Sequence, residues 1–437
     1  MNKSASYRLK GGSLVYALMI SLLVSLVLVG LIMLVHYQRM LQEKLYHQEL
    51  SQDNVFSAIN LALGQEKPLP WQAQSLLFES PVDSFLAQSS AWGLYGLTYV
   101  RAKHGQAQSE NIALWGSVAE GAMQSALILR GSNRALKLVG EAKIEGIAWL
   151  PQSGVQKGQI NREFYRGKEL IYGEIKSNRS LPELISYEHL GSLSQRLKKI
   201  QADTMGINTH LDIWEQDTIQ SAWKDETLEI HFWRDVLLDK KVIKGKVLIQ
   251  AGKSIYVSAN NSLEHTLLFA PVIIIEEGFE GRIQAFATDS IVVGKGAKLG
   301  YPSSVVVAGK SKDSPGMLNI YPEAIIEGAV INDPGLAGNQ FLAETYTRIY
   351  PKAEIRGQMI LRGAVDHRGM VKGNLLADRF MVKTISGVYT DHLKDGIISW
   401  KDLSENFSGG VYLQSPGGYR VIEWLDKSEK GNGDKEI

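Results

Sequence analysis

Residues 266–309 read TLLFAPVIIIEEGFEGRIQAFATDSIVVGKGAKLGYPSSVVVAG, and their texture decides the fold. Three β-branched runs, 266–277, 282–294 and 303–309, are separated by links that carry glycine. Within the runs apolar residues recur at alternate positions, the period of a strand. The form extends both ways. KVLIQA (246–251) and SIYVSA (254–259) precede it; MLNIY (317–321), AIIEGAVI (324–331), RIYPKAEIRGQMILRGAV (348–365) and MVKGNLLADRFMVK (370–383) follow. Strand, small turn residue, strand, repeated many times, is how a chain builds a parallel β-solenoid. Each coil lends strands to long parallel sheets and buries its inner residues only by stacking on the next. Glycines such as Gly278, Gly296, Gly328, Gly357 and Gly373 read as corners, where φ > 0 costs them little.

Over 246–400 the runs amount to about six to eight coils. Their irregular period argues against a strict hexapeptide left-handed helix. A β-sandwich is the competing architecture, but it favours hairpins of the Asn-Gly or Asp-Gly kind. No Asn-Gly precedes Val411, and Asp395-Gly396 lies at the end of the series. KLGYPSSVVVAG and the preceding GRIQAFATDSIVVG resemble the repeats of bactofilin-type and other bacterial β-helices.

Outward from this body, GEAKIEGIAWLPQSGVQKGQINREFYRGKELIYGEI (140–175) has the same texture and reads as an early coil. The stretch 177–245 then reads as an α/β insertion, with an amphipathic helix over Tyr187–Asp203. At 227–233, TLEIHFW alternates so that Leu228, Ile230 and Phe232 share one face. Residues 67–176 are expected to be mixed α/β: short helices or loops at 70–92, strands at 94–102, 111–118, 125–131 and 135–150, leading into the first coil. Residues 401–425 are expected to cap the solenoid, and 426–437, polar and charged, to form a disordered tail.

The N-terminus belongs to another class. No Asp, Glu, Lys or Arg lies between Lys10 and Arg39, and LVYALMISLLVSLVLVGLIMLV (14–35) is long enough to cross a bilayer as a helix. Residues 13–36 are therefore expected to be a transmembrane helix. Lys3, Arg8 and Lys10 precede it without an acid, whereas Arg39 and Lys44 are mixed with Glu43 and Glu49. The positive-inside bias then puts residues 1–12 in the cytoplasm and the body outside it. The apolar run is longer than a signal-peptide core and no A-x-A-like site follows it, which favours a retained anchor. From Tyr37 the helical spacing continues without proline or glycine to Gly64, so 37–66 reads as a stalk helix that Lys67-Pro-Leu-Pro terminates.

The junction Arg8-Leu-Lys-Gly-Gly-Ser-Leu-Val-Tyr-Ala resembles the N-terminus of type IV prepilins and pseudopilins. In that family a peptidase cuts after the glycine on the cytoplasmic side, and the apolar helix anchors the subunit before joining a filament core. The resemblance implies a cut between Gly12 and Ser13, or else after Gly11. It departs from the main pattern where a glutamate is usual, at the fifth mature position: Ala17 stands there, or Tyr16 for the earlier cut. Minor pilins of the PilX type and tip pseudopilins share that absence.

The chain of 437 residues has a formal net charge of +1, which gives no electrostatic reason to expect nucleic acid as a partner. It has no cysteine, so disulfides, thiolate metal sites and a cysteine nucleophile are excluded. No Walker loop, dinucleotide fingerprint, G-x-S-x-G elbow or H-E-x-x-H occurs. Two dipeptides, Asp366-His367 and Asp391-His392, are candidates for a metal or acid–base site, but neighbours on a strand face opposite ways, which favours plain exposed turns. Glu276, Glu277, Glu280 and Asp289 are the carboxylates a polysaccharide-cutting β-helix would need, and Tyr301, Tyr321, Tyr346, Tyr350 and Trp400 the aromatics of a glycan groove. Glu-Glu-Gly-Phe-Glu-Gly reads instead as a solvated turn, and the aromatics as corner or end-cap packing.

The expectation is a bacterial inner-membrane, single-pass structural or assembly protein with a periplasmic β-solenoid. It needs no cofactor or metal and is not an enzyme. Its partners are the lipid bilayer and other pilin-like or secretion-system subunits. The alternative is a membrane-tethered β-helix that binds or cleaves envelope glycan.

Overall fold

The computed structural model describes residues 12–64, 74–131, 133–186, 193, 195, 196, 211–309, 316–337 and 345–425. The protein is mainly β, with one long N-terminal helix, α1 (Gly12–Leu63). The β-branched runs pair in parallel, and their alternate side chains fall into register. One inward column runs Ile230, Ile249, Leu268, Ala285, Val305, Val330, Met359, Leu375, Leu127, Ala148, each the direct parallel partner of the next. Every member is fully buried, in one continuous core. Burial of each larger side chain is worth about 1.5–3 kcal/mol, available only when neighbouring strands cover it. The pairings close on themselves as a barrel.

Chain order and spatial order part company at Leu375. The 140–175 stretch contributes strands as expected, but Lys143–Glu145 pairs with Ile397–Ser399, and Ala148–Leu150 with Leu127–Leu129. Early in the chain, it is last in the column. At the other end, parallel pairing begins inside the stretch read as an insertion. Thr218–Ser221, Leu228–Phe232 and Val236–Leu238 lie beside Val242–Gly245, Val247–Ala251 and Ser254–Val257. The alternation of TLEIHFW holds: Ile230 is buried, and Leu228 and Phe232 pack on the same core. The helix expected over Tyr187–Asp203 falls almost wholly outside the described residues, as does the tail 426–437.

The corners share one geometry. In 276–279, 294–297, 321–324 and 350–353 the fourth residue's N–H donates to the first residue's carbonyl at 3.2–3.4 Å. The third residue is left-handed: Gly278 (φ 74°), Gly296 (65°), Glu323 (63°) and Lys352 (67°). The fourth, Phe279, Ala297, Ala324 or Ala353, turns inward and is buried. Other glycines are not corners. Gly328, Gly357 and Gly373 sit inside strands Ile325–Asn332, Glu354–His367 and Met370–Thr384, each in register with the next. A Cβ on Gly357 would lie 1.9 Å from the Gly328 carbonyl oxygen, and one on Gly373 1.9 Å from that of Gly357.

A second core lies on one outward row: Phe269, Phe286, Val306, Ile331, Ile360, Leu376 and Ile128. Leu94, Tyr95, Ile112, Leu114, Tyr412 and Leu413 cover it. Gln284 ties the cover down, accepting from Leu94 N at 2.8 Å and donating to Trp92 O at 2.9 Å. Residues 70–92, expected as helices or loops, include two strands, Gln74–Glu79 and Asp83–Trp92, and the period-2 burial of Ala87 and Ser89 explains the second. Tyr419–Trp424 pairs antiparallel with Ala107–Ser117 in the same sheet.

The chain divides into two compact units. One comprises Met1–Ala58, Leu76–Leu86 and Val100–Glu110; the other comprises Ile59–Ser75, Ala87–Tyr99 and Asn111–Ile437.

Candidate functional site

The first candidate is α1. It joins the expected membrane segment and stalk in one helix without a break. Leu14 to Val35 are exposed all round among the described residues, and the helix is long and apolar enough to cross a membrane. Ser21 and Ser25 return their hydroxyls to the carbonyls of Leu18 and Ser21, which satisfies them within an apolar helix. Further along, burial becomes one-sided: Ser51, Val55 and Ala58 are buried at helical spacing. Within the first unit Ser51 Oγ donates to Ala102 O at 3.1 Å. Asp83 accepts from Asn54 Nδ2 at 2.7 Å and lies 2.7 Å from His104 Nδ1. The His104 contact first, then Asn54, holds the Asp83 carboxyl below its usual range. His47 stacks on His104, ring centroids 5.1 Å apart.

The two Asp-His pairs are not exposed turns. Asp366 is fully buried, gripped by Arg368 at 2.8 and 3.1 Å with Arg348 at 3.6 Å. His367 is also buried, and desolvation lowers its pKa to about 4, so it stays neutral and sits 3.2 Å from the Ile397 carbonyl. His392 Nδ1 lies 2.6 Å from Thr390 O, and burial lowers its pKa as well. Strand Glu354–His367 lies between paired neighbours, and His392–Lys394 pairs in parallel with Leu136–Val139 at the edge of a three-stranded sheet. Among the described residues, no three His, Cys, Asp or Glu side chains are placed to hold a metal.

The carboxylates read as a turn do lie in one. Glu276, Glu277 and Glu280 are exposed around the Gly278 corner; Glu276 accepts from Ala259 N at 2.8 Å and Glu280 pairs with Lys298 at 2.6 Å. Asp289 accepts from Thr288 Oγ1. Tyr321 and Tyr350 stack at 4.7 Å, both at corners. Tyr301 donates to Ser408 O, and Trp400 packs against the main core.

A cleft of about 520 Å³ lies where the covered outward row runs out, at residues that no sequence motif marks. Its floor is Leu248, Leu267 and Phe269, and its wall includes Trp92. Glu229 takes a two-point grip from Arg196, at 2.7 and 3.0 Å, and His231 Nε2 is 3.2 Å away. His231 first and Arg196 second lower the Glu229 pKa to about 2. A carboxylate so held is ionised at neutral pH and cannot serve as a general acid. The Arg196 guanidinium already meets its charge at both oxygens.

No family model and no curated protein matches the chain. The competence-associated pilin ComZ from Thermus thermophilus aligns at 9% identity and a TM-score of 0.24, covering 87% of this chain and 96% of that one. A likeness this faint shows neither a shared fold nor a shared role.

The parts of the cleft are scattered along the chain. Glu229 and His231 are two residues apart on one strand, which marks a shared face, but nothing in their neighbourhood announces Arg196 or Trp92. The corner repeat was more accessible: Tyr-Pro-Glu-Ala (321–324) and Tyr-Pro-Lys-Ala (350–353) are the same turn written twice.

Proposed function

We propose that this chain is a membrane-anchored structural or assembly protein of the bacterial envelope. α1 is its bilayer anchor, residues 1–12 are cytoplasmic, and the parallel β body is a periplasmic solenoid. In this reading a prepilin-type peptidase cuts between Gly12 and Ser13, and the freed helix then packs beside other pilin-like or secretion-system helices. The observation that carries the proposal is the two-part character of α1. Its first half is exposed throughout and apolar but for Ser13, Ser21, Ser25 and His36, and its second half buries a single stripe. A helix built only to support a soluble body would be amphipathic throughout. One built only to span a membrane would not continue about 40 Å past the bilayer without a break. The basic residues ahead of the helix support the cytoplasmic N-terminus.

The test is mass spectrometry of the mature N-terminus, with and without the peptidase. A chain beginning at Ser13 supports processing. An intact Met1–Gly12 segment with the protein still in the membrane fraction would sink the pilin-like part and leave the anchor. Co-purification with pilus or secretion subunits tests the assembly role.

A further inference from the structure

The parallel strands present three kinds of outward row. One is apolar and covered by the antiparallel strands. A second is charged: Lys244 with Glu264, Lys298 with Glu280 and Lys372 with Glu354 form ladders suited to water. The third is apolar at one end and belongs to neither hydrophobic core. Its central row is Leu237, Tyr256, Ile274, Val292, each the parallel partner of the next, and it continues to Asn319, Arg348 and Asp366. Val272 and Met317 lie alongside. Leu237 is 62% exposed, Tyr256 43% and Met317 46%, whereas Val272, Ile274 and Val292 are half-buried and belong to neither core. Parallel sheets are normally covered on both faces, so an aliphatic outward row is a surface in want of a neighbour.

We infer that this face rests on an anionic lipid surface. The flanks of the row carry the argument. Beyond Val292 it becomes basic and aromatic: Arg348 lies over the Tyr350 ring at 4.6 Å and Lys383 over Tyr346 at 4.2 Å. At the other end Arg234 lies over Trp233 at 3.8 Å, and Trp233 is 41% exposed. Asp366 is buried and already held by Arg368; of the acids nearer the aliphatic end, Asp235 is bonded to Ser254, Asp239 accepts from Asn260 and Glu276 from Ala259 N, while Glu277 is exposed at the corner beyond Ile275. Aliphatic centre, aromatic rim and basic flanks are the composition of a surface that sits at the headgroup level. Size argues the same way. Seven strands at about 4.8 Å spacing and roughly two outward residues across give some 200–400 Å², well short of the roughly 800 Å² per partner of a stable protein interface. A lipid surface needs no shape match, and a tethered body meets it at high effective concentration. That last point rests on the anchor reading; the composition does not.

The absence of native cysteine makes the test clean. Single cysteines replace Leu237 and Tyr256 on the face, Gln220 on another outward row, and Ile20 in α1, each labelled with an environment-sensitive dye. The full chain is reconstituted into phosphatidylcholine vesicles with or without phosphatidylglycerol. With the anionic lipid, lipid-borne nitroxides should quench the dyes at 237 and 256 at least about twofold more than at 220, and iodide should reach them about half as well. Neutral vesicles or high salt should weaken this. Iodide access equal to that at 220 overturns the inference. So does exclusion of iodide without nitroxide quenching, which would mean that protein covers the face. The dye at position 20 separates the two readings: quenched there but not at 237 or 256, the anchor stands and this inference falls.

Discussion

Leu375 is the in-register parallel partner of Leu127. Both are fully buried in one core, although they come from opposite ends of the β body. The N-terminal strands therefore finish what the C-terminal strands begin, and neither part covers its own inner face alone. Either Leu→Ala change should cost about 2–5 kcal/mol. The two should also couple by about 0.5–3 kcal/mol, since both mutations enlarge the same cavity. Urea unfolding of both single variants and the double variant measures this. Strict additivity would mean that the two segments do not pack as neighbours.

The glycines divide into two sorts that one substitution separates. At Gly278, φ is 74° and a Cβ would meet nothing within 4 Å, so Gly278→Ala carries only the left-handed backbone cost of about 1–2 kcal/mol. At Gly357 the added Cβ would fall on the Gly328 carbonyl oxygen inside a paired strand. Gly357→Ala must break pairing on both sides, and should abolish cooperative folding or lower the melting temperature several times more than Gly278→Ala. Comparable melting temperatures would contradict the stacked arrangement.

That contrast marks how far the sequence could be read. Alternation in 246–400 was enough to find parallel β strands, because buried strands write themselves as apolar runs. The apolar helix and its continuation to Leu63 were legible for the same reason. What was hidden is order in space. Nothing local to Lys143–Glu145 says that its partner is Ile397–Ser399, because pairing partners share texture, not sequence. Gly328, Gly357 and Gly373 looked like corners because glycine serves both a positive-φ turn and a close backbone approach. The cleft was invisible because Arg196, Glu229 and Trp92 meet only through tertiary structure.

For the anchor, one charge should decide. Leu26 lies mid-way along the apolar stretch and is 69% exposed. Arginine at a helix centre costs about 2.5–3.5 kcal/mol of apparent insertion free energy. Leu26→Arg should therefore shift much of the protein from the alkali-resistant membrane fraction to the extractable one, whereas Gln38→Arg, past the apolar stretch, should not. Equal extraction of both would mean that the helix is not held by a bilayer.

His367 should leave a signature in the pH dependence of stability. Its folded pKa is lowered from 6.5 to about 4 by burial, and its ring touches only the Ile397 carbonyl among the bonds that could offset that cost. In the unfolded chain it binds a proton near pH 6.5; in the folded one it resists until about pH 4. Between those values the unfolded state holds more protons, so stability falls as pH falls, and the loss levels off below the folded pKa. A shift of this size is on the order of 3 kcal/mol. Urea midpoints at pH 7, 5.5 and 4.5 should decline in the parent protein. In His367→Gln, whose amide can still donate to Ile397, the decline over that window should be mostly gone, at the expense of a lower midpoint at pH 7. An equal decline in both proteins would assign the acid sensitivity to other groups and place His367 in a more solvated setting than its burial indicates.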